Sequence, residues 1–152
     1  MDSRVKTMQR SATLQPLSRE HHSALTLAKA CERAAQSGNV EIISQTCQRA
    51  SLAFSNELEP HFQIEERSLL PMLRSADVQT LAQRTWADHQ RLRELRNGLK
   101  QNNAEALAEF GKRLSAHVRF EERELFPAIE SVLEESIGKF QNSLPINGKH
   151  PF

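Results

Sequence analysis

The chain has 152 residues, of which 38% are hydrophobic and 26% charged, with a net charge of +1 at pH 7. That length supports one domain with its own core, and the near-zero charge gives no electrostatic basis for binding nucleic acid or an anionic membrane. No apolar run approaches the roughly 20 residues that cross a bilayer. Residues 1–15, MDSRVKTMQRSATLQ, lack the apolar segment of a signal peptide, so the expected location is cytoplasmic.

Apolar positions recur at a helical period almost throughout, and no stretch alternates like a strand. After an N-terminal extension (1–13), a first helix opens near Pro16, with Leu14 just ahead of it, and stops at Gly38. A second runs from about Asn39 to Arg74. A third starts near Asp77, read as its N-cap, and stops between Gly98 and Asn102. The fourth starts near Asn103 and fades by Gly138, leaving 139–152 as a polar tail. The fold class predicted for residues 14–138 is all-α: an up-down-up-down four-helix bundle joined by short connections.

The buried stripes carry chemistry. In the first helix the stripe reads Leu14, Leu17, His21, Ala24, Ala28, Cys31, Ala35, and in the third Val78, Ala82, Thr85, His89, Leu92, Leu99. The second presents Phe54, Leu58, His61, Glu65, Leu69, Met72, and the fourth repeats it 56 residues later as Phe110, Leu114, His117, Glu121, Leu125, Ala128. The segments HFQIEERSLLP and HVRFEERELFP are thus one sentence written twice, in a chain built from two repeated helix pairs. Cys31 and Cys47 fall on the same faces and read as reduced core thiols.

Ionisable groups in a core are costly unless something compensates them. A histidine in every stripe, two of them followed at i+4 by a glutamate on the same face, points to metal. Four imidazoles and two carboxylates from four helices suit two ions, each taking two histidines, with the glutamates as bridges. Nitrogen and oxygen donors without thiolate favour iron or manganese and allow zinc.

These motifs, PLSREHHSAL, HFQIEERSLLP, ADHQRL and HVRFEERELFP, resemble the haemerythrin-like family, the HHE cation-binding domains. The resemblance implies a non-haem di-iron centre that binds dioxygen or a related small oxidant, with metal ligands His21, His61, Glu65, His89, His117 and Glu121. Two departures stand out. Thr85 occupies the position where the oxygen-carrying haemerythrins have a second third-helix histidine, and Glu121 precedes Glu122, which sits where they carry the fourth-helix carboxylate. The first weighs toward sensing or peroxide chemistry and against reversible oxygen carriage. The resemblance favours an oxygen-, NO- or iron-binding protein over an enzyme. A peroxide- or NO-directed di-iron oxidoreductase, or a zinc or structural metal bundle, is the alternative. Ferritin-like chemistry is disfavoured because Glu-x-x-His is absent.

Around these positions, His22 falls on a polar stripe. Glu66 and Glu122 lie about 100° off the ligand face; their repeat, together with Arg67 and Arg123, reads first as surface ion pairs, with hydrogen bonds to the ligands as the alternative. Glu20 and Asp88 likewise diverge from the histidines they precede, and Glu57 is an edge position one turn before His61. Trp86 is expected to pack near the site, Pro71 and Pro127 to bend their helices beyond it, and Arg84, Arg91, Arg93, Arg96 and Lys100 to form a solvated face.

Overall fold

The computed structural model describes residues 10–142, with side chains to residue 137. Four helices form an antiparallel bundle, and no strand occurs among the described residues. Helix α1 is Gln15–Gln36, with Pro16 in its first turn. Helix α2 starts as Val40–Ala53, passes through π turns Phe54–Leu58 and Glu65–Leu69 on either side of Glu59–Ile64, and ends in the 3-10 turn Leu70–Met72. Helix α3 is Ala76–Glu94, continued by Arg96–Lys100. Helix α4 comprises Ala104–Phe120, the π turn Glu121–Leu125 and Phe126–Asn142. It thus continues past the expected stop at Gly138, and the reading of 143–152 as tail lies outside the described residues.

The connections follow from local chemistry. Gly38 takes φ +67°, and Asn102, a residue type that tolerates the left-handed region, takes φ 57°. Asn39 and Asn103 cap α2 and α4 by accepting from the amides of Ile42 and Ala106 at 3.0 and 2.8 Å. Asp77 is not the cap of α3. Ser75 holds that position, and Asp77 lies in the first turn, where its charge faces the positive helix end. No helix among the described residues is long and apolar enough to cross a membrane.

Each π turn is followed at once by proline. The amides of Glu59, Leu70 and Phe126 reach back five residues to the carbonyls of Phe54, Glu65 and Glu121, and Pro60, Pro71 and Pro127 come next. A proline ring collides with the carbonyl four residues earlier and offers no N–H. A turn widened to five residues meets both constraints, so the prolines mark three π turns, two of which begin at a glutamate of the repeated motif.

The core divides into two apolar clusters. One contains Ala24, Ala28, Cys31, Cys47, Phe54, Phe62, Leu92, Leu114 and Val118. The other contains Leu14, Leu17, Leu69, Leu73, Leu125, Phe126 and Ile129. The inward polar residues occupy the layer between them. Both cysteines are buried and free, and burial pushes the Cys31 thiol up to about 12, which fits inert packing.

Helices α1 and α4 approach closely at Gly111. A Cβ there would stand 2.7 Å from the Ala28 carbonyl oxygen and 2.9 Å from Glu32 Cγ. The backbone of α1 cannot yield cheaply, so Gly111→Ala should destabilise the fold by about 1–3 kcal/mol. Chemical denaturation checks this, and an unchanged midpoint would contradict the close approach.

Candidate metal centre

The bundle brings the six sequence-predicted residues together, all buried, with Glu65 and Glu121 at 0% exposure. His21 comes from α1, His61 and Glu65 from α2, His89 from α3, and His117 and Glu121 from α4. His22, one residue on, is exposed, and Glu57 is exposed as well.

The geometry is a shared one. Glu65 Oε2 lies 2.8 Å from His61 Nε2, and Glu65 Oε1 lies 2.9 Å from His89 Nε2. Glu121 Oε1 lies 2.8 Å from His21 Nε2, and its Oε2 lies 3.0 Å from His117 Nε2. Each carboxylate therefore places one oxygen toward each of two histidine pairs. Two four-residue sets result: His21, His61, Glu65 and Glu121, and Glu65, His89, His117 and Glu121. Within each set the ligand atoms lie within 4.8 Å of one another.

The donor set fits metal on a further observation. His117 Nε2 and Glu121 Oε2 are buried and, although 3.0 Å apart, are misaligned for a hydrogen bond, which leaves both without a partner. Buried polar atoms are rarely left so. Two such atoms, one from an imidazole and one from a carboxylate, are donors that an ion could take.

The opposite ring nitrogens explain why the Nε2 atoms point inward. His21 Nδ1 donates to Glu122 at 2.6 Å, His61 Nδ1 to Glu20 at 2.5 Å, His89 Nδ1 to Glu66 at 2.6 Å and His117 Nδ1 to Asp88 at 3.0 Å. Each acid is the sequence neighbour of one predicted ligand and the partner of another, one helix further round. The ring closes: α1 supports α2, α2 supports α3, α3 supports α4, and α4 supports α1. Such carboxylates fix the tautomer and strengthen the ring as a ligand.

Glu20, Glu66, Asp88 and Glu122 are thus bonded to the site, contrary to the reading of them as surface residues. The 100° rule is correct for a single helix, yet a neighbour that leaves one helix's inner face points at the adjacent helix. The signal was present in sequence: an acid stands directly beside a ligand in all four motifs, EHH, IEE, DHQ and FEE.

Arginines back three of the four acids. Arg10 pairs with Glu122 at 3.1 Å and with Glu130 at 2.8 Å, Arg93 with Glu66 at 2.9 Å, and Arg84 with Asp88 at 3.5 Å. Arg93 therefore leaves the expected solvated face, whereas Arg84 stays exposed on it while reaching Asp88. Glu20 has no such cation among the described residues, and its side chain is 59% exposed. Aromatic rings complete the setting. Phe62 stacks on His89 at 4.0 Å and Phe126 on His21 at 5.2 Å. Trp86 does not pack at the site: it is 48% exposed and lies against Arg93.

Without a metal, protons supply the positive charge. Burial pulls His61 down, but the carboxylates of Glu121 and Glu65 outweigh it and push its pKa up to about 11. In His117 burial is likewise outweighed, by the charge of Glu121 and the bond to Asp88, giving about 10. His21 is raised too, by Glu121 and Glu122 against its burial. Burial would raise Glu121, but His117 above all, with His21 and His61, holds it well below the usual carboxylate range.

A four-helix bundle that gathers four imidazoles around two buried carboxylates is the architecture of a cation-binding bundle. The family model of the hemerythrin HHE cation binding domain matches residues 12–129, and the chain belongs to that family. No curated protein and no solved structure gives a significant match.

Two outcomes follow. An ion needs neutral imidazoles, and His61 and His117 carry protons across the neutral range when no metal is bound. Loading a divalent ion at pH 7.5 should release at least two protons per chain, and affinity should rise with pH through neutrality. Calorimetry in buffers of different ionisation enthalpy measures this, and zero release would contradict the charge pairing. Correspondingly, the charge-paired metal-free site stabilises the fold fully below about pH 6.5, the unperturbed histidine value, and loses that contribution as pH rises through about 10 to 11. Separately, Glu66→Gln and Glu122→Gln should each weaken metal binding about 10–100-fold, and Glu20→Gln less, since Glu20 is the more exposed carboxylate. Chelator competition ranks the three, and a largest loss at Glu20 would reverse the order.

Proposed function

We propose that this chain is a haemerythrin-like non-haem di-iron protein of the cytoplasm that binds dioxygen or a related small oxidant. His21 and His61 would hold one ion and His89 and His117 the other, with Glu65 and Glu121 each offering one oxygen to either pair. The observation that carries the reading is the division of each glutamate's two oxygens between the two histidine pairs. A single ion would leave one pair and two carboxylate oxygens without a function.

The iron pair would supply a reversible change of oxidation state beside positions open to a small ligand. The chain's own residues do the rest. Glu20, Glu66, Asp88 and Glu122 keep the Nδ1 protons in place, so the Nε2 lone pairs are offered inward. Phe62 and Phe126 hold ring planes, and the two apolar clusters flank the layer. Thr85, also buried, donates its hydroxyl to the Leu81 carbonyl one turn back at 2.8 Å. That bond engages the hydroxyl with its own helix, which supports a sensing or peroxide-directed role over reversible carriage.

The test is metal analysis of aerobically purified protein with absorption spectra before and after reductant. Two irons per chain and a visible band lost on reduction are expected. His61→Ala should lower the metal content and the thermal midpoint together, because site and core share that position. His22→Ala should leave both unchanged. Full metal content in His61→Ala would remove this residue from the ligand set.

A further inference from the structure

A cavity of about 490 Å³ opens on the α1–α2 side of the bundle and ends on the polar layer. Its floor is His21, His61, His117 and Glu121, and its walls include Ala24, Leu27, Leu58, Phe62 and Val118. Arg49, Leu52, Asn56 and Glu57, all exposed, stand at its mouth. The lining includes neither Glu65 nor His89, so the cavity reaches the site from the His21–His61 side. Glu20, the most exposed of the four outer carboxylates, is on its rim.

A diatomic ligand needs about the space of one water, ~30 Å³. This cavity exceeds that more than tenfold and lies within the range of about 300–1,000 Å³ typical of pockets for organic ligands. We propose that it binds an uncharged organic molecule with an apolar body and a single oxygen head, the head facing His21 and His61. The proposal rests on the metal reading only for the direction of the head.

The class follows from the lining. Apolar walls favour an apolar body, and a charge held against them would lose its hydration with no partner in return. At the mouth Arg49 and Glu57 carry opposite charges and Glu20 is already committed to His61, so the mouth selects neither an anion nor a cation. The polar groups at depth are those of the floor, which therefore orients the oxygen.

The direct test is calorimetric titration of metal-free protein with 1-octanol, using ethanol, octanoate and octylammonium for comparison. Saturable binding of one octanol per chain is expected, at least tenfold tighter than each of the other three. Ala53→Phe places a ring in the cavity and should weaken octanol at least tenfold. Should that variant not fold, Asn56→Trp at the exposed mouth serves instead. No saturable octanol binding, undiminished binding in the folded blocking variant, or tighter binding of a charged analogue would overturn the proposal. In cobalt-loaded protein the C1 methylene resonance of octanol should broaden more than its terminal methyl, and the reverse gradient would overturn the orientation. Because the titrations use metal-free protein, their result is independent of the metal analysis, and either reading can fail alone.

Discussion

Two glutamates with no solvent exposure, each shared between imidazoles of different helices, are the constraint on which this molecule depends. A carboxylate so placed costs several kcal/mol unless positive charge surrounds it. Each of the four helices contributes a histidine to that compensation, so no helix can leave without stranding charge. The bundle is held at its ends by apolar clusters and in its middle by electrostatics. That division explains why the polar layer tolerates the repeated glutamate at the start of a π turn, where the backbone is widened and the helix register shifts.

The outer ring turns four separate imidazoles into one unit. Because every supporting acid is the sequence neighbour of a ligand on the preceding helix, rotating one helix would disturb two imidazoles at once. The arginines make the ring uneven. Arg10, Arg93 and Arg84 hold three acids against it, whereas Glu20 faces solvent beside the cavity. Among the described residues the His61 position is thus the least braced part of the site, and it lies on the side that the cavity reaches. Arg10 gives the residues preceding α1 a role in the site, since it reaches Glu122 and Glu130 on α4.

The fold was legible because the stripes are unambiguous: His21 continues Leu17 and leads to Ala24, whereas His22 continues nothing apolar. Glu65 and Glu121 were legible from i+4 spacing and from the 56-residue repeat. What escaped was whatever depends on two helices at once. A single wheel turns Glu66 and Glu122 away from the core and cannot register that the next helix waits there with a histidine. Trp86 failed for the opposite reason, since its expected burial came from residue type and not from its stripe. The cap of α3 went to Ser75 instead of Asp77, a shift of two residues that moves no inward position.

The proposed two-ion site, with Glu65 and Glu121 shared between the ions, can be seen in a crystal. Anomalous diffraction from crystals of the metal-loaded protein, collected at the absorption edge of the bound metal, tests it most directly. Two peaks per chain are expected, one beside His21 and His61 and one beside His89 and His117, with both glutamates touching both peaks. One peak, or two peaks with either glutamate bound to a single ion, would contradict it.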